Sequence, residues 1–331
     1  MAQEADPQPP GGAELPTAER SSPARVAVCI ATYLRPQGLL ATLQSLNSLT
    51  FTHVKQPAVE VFLIDNDPAG SASETYEAAR RWLRWPLQYV HEPRRGISQV
   101  RNTAVAAARR NADFIAFIDD DEVADPQWLD ELLHAQSEHR ADAVLGPAIR
   151  VFEGEPPEWA VSGGYFEQTR YRTGARISHG GIGNALVRVG ALPEDRPVFD
   201  DRLGISGGED TLFFLRLARD GGRIIWTNEA TIREAIPAHR ARVGYVLKRV
   251  YRTANTWSFC ERELDGSAPV LMKRTVKGMS RIVWGVALFL AGLIVGEKAR
   301  IRGMWQVCYG AGNLTGLVGL RYDAYRSVPP G

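Results

Sequence analysis

An apolar strand that runs straight into three acids constrains this chain more than any other feature. Residues Phe114, Ile115, Ala116, Phe117 and Ile118 are continuously apolar, and Asp119, Asp120 and Asp121 follow at once. A short, unbroken apolar run is the pattern of a strand covered on both faces, as in a parallel sheet clothed by helices. Acids planted where such a strand ends lie at the carboxyl edge of the sheet, where ligands bind in open α/β folds. Three adjacent carboxylates repel one another, and a hard divalent cation such as Mg²⁺ or Mn²⁺ is their natural counter-charge. An acidic turn, or a cap for the helix expected from Asp125, is the plainer explanation of the same residues.

The same strand-then-polar pattern recurs upstream. Residues 25–31 read as a first strand (Val26, Val28, Ile30), followed by Thr32-Tyr33-Leu34-Arg35-Pro36 and a helix over 37–49. A second strand over 59–64 ends at Asp65-Asn66-Asp67, with a helix over 73–82. A short strand over 88–91 precedes an Ala-rich helix within 96–110. Strands alternating with helices predict a parallel sheet with helices on both faces. The second half is less regular. One strand is expected over 143–151 and another over 185–189, after the glycine-rich Gly180-Gly181-Ile182-Gly183-Asn184. Gly207-Gly208-Glu209-Asp210 opens an amphipathic helix over 211–220, closed by Gly221-Gly222, and a last core strand falls at 223–226.

Net charge is +1, but unevenly spread: from Ile236 onward there are 15 Lys/Arg and 5 Asp/Glu, so the body before it is acidic. Three scattered cysteines, Cys29, Cys260 and Cys308, suggest neither a metal cage nor a disulfide framework and fit a reducing, cytosolic setting. No secretory signal is read at the start, and residues 1–24, rich in Pro, Gly, Ala and Glu, are expected to be a disordered tail. Residues 282–295 are almost wholly apolar, with Lys273, Arg274, Lys277 and Arg281 before them and Lys298, Arg300 and Arg302 after. That run is shorter than the ~20 residues of a simple membrane span. Cations on both flanks suit a re-entrant or in-plane helix with both ends on the cytoplasmic side. A second, weakly apolar segment over 304–320 is placed to pair with it. The plainer alternative is a helix packed on the body. Nucleic-acid binding is disfavoured, because the cations bracket an apolar stretch and do not interleave with aromatics.

Ala31-Thr32-Tyr33, Ile64-Asp65-Asn66, Gly96-Ile97-Ser98-Gln99-Val100-Arg101-Asn102, Asp119-Asp120-Asp121 and Gly207-Gly208-Glu209-Asp210 occur in that order. Together they resemble the family 2 glycosyltransferases of GT-A fold, over about residues 25–262. Phe117 to Val123 and Gly207 to Thr211 resemble the bacterial exopolysaccharide enzymes of succinoglycan type. The resemblance implies an inverting, metal-dependent transfer of a sugar from a nucleotide-diphosphate donor, UDP-sugar by default, to a saccharide or polyprenyl-linked acceptor. It implies that Asp119, Asp121 and His239 hold a divalent metal (Mn²⁺ or Mg²⁺), and that Thr32, Tyr33, Asp65, Arg101 and Asp119 contact the nucleotide. It assigns Asp210 as general base with Glu209 orienting the acceptor, although either acid would also suit a helix start. Residues 263–331 are then a basic, apolar, helical extension, and the enzyme sits at the cytoplasmic face of the inner membrane, peripheral or monotopic. Sugar-1-phosphate nucleotidyltransferases share the architecture, but they resemble a glycine-rich phosphate loop after the first strand, where this chain has no glycine before Gly38. A non-catalytic scaffold would be expected to have lost its acids, and both acidic sites are intact.

Overall fold

The computed structural model describes residues 22–322, so the expected N-terminal tail lies, through residue 21, outside the described residues. Four strands build the parallel half of a seven-stranded sheet: β1 (Arg25–Thr32), β2 (Ala58–Asp65), β3 (Leu87–His91) and β4 (Phe114–Asp119), in the order β3-β2-β1-β4. Alternation decides which face each side chain covers. Val26, Val28 and Ile30 turn toward Leu39, Leu43 and Leu46 of α1 (Pro36–Asn47). Ala27, Cys29, Ile115 and Phe117 turn the other way, toward Val100, Ala104 and Val105 of α3 (Ile97–Ala108). Between them in the chain, α2 (Ser73–Ala79) packs near β3 at the sheet edge.

The second half departs from the sequence expectation in two places. The segment expected as one strand breaks after β5 (Glu122–Ala124) and α4 (Trp128–His139) into β6 (Ala143–Leu145) and β7 (Ala148–Phe152). Gly146-Pro147 divides them: Pro147 has no amide hydrogen for a ladder, and a Cβ at Gly146 would lie 2.2 Å from the Ala230 carbonyl oxygen. The sheet is also not wholly parallel. After α5 (Glu158–Ser162), β8 (Ala185–Arg188) runs antiparallel to both β4 and β6, pairing Ala185 with Phe117 and Arg188 with Phe114. The chain enters β8 from the Gly180–Asn184 turn at the carboxyl edge, so the strand has to run away from that edge.

α6 (Glu209–Arg219) leads to β9 (Ile224–Trp226), which completes the large sheet beside β6. β10 (Ile232–Ile236), absent from the sequence reading, then joins β5 and β7 in a small three-stranded sheet. That sheet stands immediately beyond β4, beside the three aspartates. The chain ends in α7 (Val243–Leu264), α8 (Ala268–Val295) and α9 (Glu297–Leu317). As the sequence suggested, the last helix returns along the apolar one: α8 and α9 pack as an antiparallel hairpin, and α9 also packs on α7.

Candidate active site

The three aspartates leave the end of β4 with three different environments. Asp119, about 39% exposed, turns toward α3, where its Oδ1 accepts from Arg101 Nη2 at 3.0 Å. Asp120 is buried: Oδ2 accepts from the Thr32 hydroxyl at 2.8 Å and Oδ1 from Arg35 Nη1 at 3.0 Å. Asp121 accepts from the same Arg35 nitrogen at 2.9 Å and meets Arg240 at 3.5 Å. Arg35 can turn back onto the acids because the chain leaves β1 through Leu34 in the left-handed region, φ +53°.

Glu122 is a fourth carboxylate, fully buried, whose Oε2 accepts the Asp119 amide N–H at 2.9 Å. Burial, opposed by Arg35 and reinforced by the neighbouring acids, pushes Asp120 up to about 6. Burial likewise raises Asp121, and it raises Glu122 well above the usual carboxylate range with the Asp119 charge adding to it. Burial is the largest cause of all three rises, and Arg35 only partly offsets it at Asp120 and Asp121.

The second acid group comes from α6. Gly207 and Gly208 are both left-handed (φ +76° and +93°), a turn open to glycine, and it delivers Glu209 and Asp210 as the first residues of the helix. Glu209 is buried, with Oε1 ion-paired to Arg101 Nη1 and Oε2 buried without a partner. Burial raises its carboxyl to about 7; Arg101 opposes the rise and Asp210 adds to it. Asp210 is half-buried and accepts the Thr211 amide at 2.6 Å. Asp119, Glu122, Glu209 and Asp210 line one cavity of about 300 Å³, with Gly183 and Trp257 among its other walls. Arg101 bridges the two acid groups across it.

The remaining predicted residues fall as follows. Thr32 is buried against Asp120, and the Tyr33 ring lies under the Arg95 guanidinium at 5.0 Å. Asp65 is wholly buried: its oxygens accept from the amides of Asp67 (3.0 Å) and Ala72 (2.7 Å) and from the Tyr89 hydroxyl (2.9 Å). Its carboxylate shapes the loop after β2. Asn66 braces the next one, donating to the Glu92 and Arg94 carbonyls and accepting from the Gly96 amide.

His239, expected at the metal, lies exposed on the turn after β10, and the side chain that reaches Asp121 from that turn is Arg240. Among the described residues no three His, Cys, Asp or Glu side chains group closely enough to hold a metal ion. Two carboxylates still suit Mg²⁺ or Mn²⁺, hard ions commonly held by one or two carboxylates together with substrate phosphates and water. A cluster whose carboxyls are raised by burial and mutual repulsion is one that an added cation would relieve.

Sequence reasoning missed Arg35 and Glu122. Arg35 was read as part of a loop, and Glu122 only within the stretch from Phe117 to Val123 that carries the resemblance. Asn184 proves to be a brace: its Oδ1 accepts from Trp128 Nε1 at 2.7 Å while Nδ2 donates to the Pro147 and Ala230 carbonyls. His179 and Trp257 meet edge to face at 4.5 Å. Nothing local signals that contact between residues so far apart in the chain.

Residues 27–195 match the family model described as Glycosyl transferase family 2. Over 231 residues the chain is 35% identical to the succinoglycan biosynthesis protein ExoM of Rhizobium meliloti (strain 1021), covering 70% of this chain and 72% of that protein. It is 25% identical over 199 residues to the putative glycosyltransferase EpsH of Bacillus subtilis (strain 168), covering 58% and 55%. Among solved structures it resembles the mannosyltransferase PcManGT from Pyrobaculum calidifontis, in complex with GDP-Man and Mn²⁺, with a TM-score of 0.57, 18% identity and coverage of 90% and 88%. It resembles S. aureus TarS 1-349 with a TM-score of 0.50, 17% identity and coverage of 90% and 93%. The chain is a glycosyltransferase of GT-A fold and belongs to glycosyltransferase family 2.

Proposed function

We propose that this glycosyltransferase builds a bacterial polysaccharide by inverting, metal-dependent transfer. The sugar would pass from a nucleoside-diphosphate donor to a saccharide acceptor carried on a lipid at the cytoplasmic face of the membrane. One observation carries the reading: Asp119 at the end of β4 and Glu122 just beyond it line a single cavity with Glu209 and Asp210 of the helix start, and Arg101 joins Asp119 to Glu209. A donor with its diphosphate toward Asp119 and Asp121 would present its anomeric carbon between the two groups.

A divalent cation held by Asp119 and Asp121 would supply the charge that eases departure of the nucleoside diphosphate. Arg240, already at Asp121, is placed to meet the same phosphates. On the other side Asp210 takes the proton of the acceptor hydroxyl as that oxygen bonds to the anomeric carbon and the carbon–phosphate-oxygen bond breaks. The single displacement on the face opposite the leaving group inverts the configuration. Glu209, held by Arg101 with one oxygen unpartnered, is placed to receive an acceptor hydroxyl and orient it. The sugar-polymer setting follows the ExoM likeness.

The test is a panel of UDP- and GDP-sugars with Mn²⁺ or Mg²⁺, reading nucleotide release with and without a bacterial lipid extract. Asp210→Asn is expected to lower transfer by about 10²–10⁴-fold while donor binding survives. Unchanged turnover in that variant would remove Asp210 from the base's place.

A further inference from the structure

We propose that α8 seats the enzyme flat in the surface of an anionic lipid leaflet, with both of its ends on the same side, and does not cross the membrane. The proposal rests on the membrane-associated reading above and adds its geometry.

By length and composition α8 is the one helix among the described residues able to cross a bilayer. Its 28 residues span ~42 Å, more than the ~30 Å hydrocarbon core. Six of its exposed side chains form an apolar stripe, Met272, Val276, Met279, Val283, Leu290 and Leu293, recurring every three or four residues where they adjoin, with Trp284 and Val295 exposed beside it. Val283 is 71% exposed and Leu290 56%, far beyond what a helix packed into a core would show.

The opposite side is a glycine seam. A Cβ at Gly285 would lie 2.7 Å from the Gly303 carbonyl oxygen, and one at Gly310 would lie 2.5 Å from that of Gly278. Small residues let α8 and α9 touch backbone to backbone, which leaves the apolar stripe of α8 outward.

Both ends of that hairpin are tied to the catalytic body. Near its start, buried Arg274 is ion-paired with Glu261 of α7. At the far turn Lys298 pairs with Glu158 of α5 at 2.8 Å, and Trp305 packs against the buried cluster of Ala160, Phe166, Ile236 and Val246. The returning end of α9 is stitched to α7 through Ser258 to Asn313 (2.7 Å) and Asn255 to Thr315 (3.0 Å). A helix fastened at both ends to one water-soluble body cannot send its far end through a bilayer without the body following.

Charge selects the occupant of the stripe. α8 has no Asp or Glu. Lys273 at its start and Lys298, Arg300 and Arg302 past its end are all exposed. Cations at both ends of an apolar stripe match a single plane of anionic headgroups, not the two faces of a span.

The full-length protein is mixed with phosphatidylglycerol–phosphatidylcholine vesicles and with phosphatidylcholine vesicles, then floated. It is expected to float with the first, and more weakly with the second or at high salt. Val283→Asp with Leu290→Asp, at positions already exposed, should lower the bound fraction at least about tenfold while donor binding is unchanged. In a Cys308→Ser background, Lys273→Cys and Glu297→Cys, exposed at the two ends and off the stripe, should both react with a membrane-impermeant thiol reagent added outside the vesicles. No flotation would overturn the membrane reading itself, and concentration-dependent dimerisation of that protein would give the stripe to a second copy. Flotation with Glu297→Cys protected until the vesicles are lysed would leave the membrane reading standing and overturn the flat seating. Neither failure touches the Asp210 test.

Discussion

Replacing Arg101 with methionine removes the one guanidinium that joins the two acid groups, and the structure sets the size of the effect. Arg101 is about 8% exposed and Glu209 about 3%, so solvent screens their pairing little. With Arg101 present, burial still holds Glu209 near 7, above its ordinary 4.5. Stability therefore falls with rising pH from about 4.5 to about 7, where the folded protein keeps a proton that the unfolded chain gives up, and levels off once Glu209 ionises against Arg101. Without Arg101 the carboxyl rises further and Glu209 keeps its proton past neutrality. The variant then goes on losing about 1.4 kcal/mol per pH unit above the point where the parent levels off. Stranding one partner of a buried pair ordinarily costs ~3–5 kcal/mol. Proton uptake caps this electrostatic part near 2 kcal/mol at about pH 8.5, added to a pH-independent loss from the shorter side chain and the lost Asp119 contact. Urea unfolding of both proteins at about pH 6.5 and about pH 8.5 measures it. Stability curves that stay parallel across that window would show that Arg101 does not neutralise Glu209, and the bridge between the acid groups would lose its meaning.

Three further outcomes follow from named contacts. Gly183→Ala would bring a Cβ within 2.8 Å of Asp119 Oδ2 and 2.9 Å of the Glu122 carboxylate, so sugar transfer should fall at least about tenfold while the unfolding midpoint moves little, measured by activity and melting together. Asp121→Ala should weaken donor binding by about tenfold or more with Mn²⁺ present and much less with chelator, by titration calorimetry; equal affinities throughout would contradict a metal at this edge. Asp130 is buried and accepts the Thr52, His53 and Val54 amides at 2.8, 2.9 and 3.0 Å, bonds that outweigh burial and lower its carboxyl. Its stabilisation is present above the ordinary aspartate pKa and lost as pH falls through the depressed one. Asp130→Asn should thus cost ~1–3 kcal/mol at neutral pH and progressively less in acid, by thermal unfolding across pH.

How far the site was legible depends on which kind of information each residue needs. β1, β2 and β4 are apolar runs buried on both faces, so their ends, and the acids planted there, can be read locally. β10 is short, alternates with charge and lies in the small sheet, so nothing in Ile232-Arg233-Glu234-Ala235-Ile236 separates it from loop. The reversed direction of β8 follows from where the chain re-enters the sheet, which no local pattern states. The same division explains the acids. Their place at the edge is written in a few consecutive residues, but their partners arrive from elsewhere. Arg35 and Asp120 are 85 residues apart, Arg101 and Glu209 108, and Arg240 and Asp121 119. His239 was expected at the metal from the family resemblance alone; on the turn after β10 the side chain that reaches Asp121 is that of Arg240, and the histidine is exposed. A carboxylate cluster whose counter-charges come in over crossovers of this length is complete only when the whole sheet has formed. Catalytic competence in this chain should therefore appear with global folding and not with any one motif.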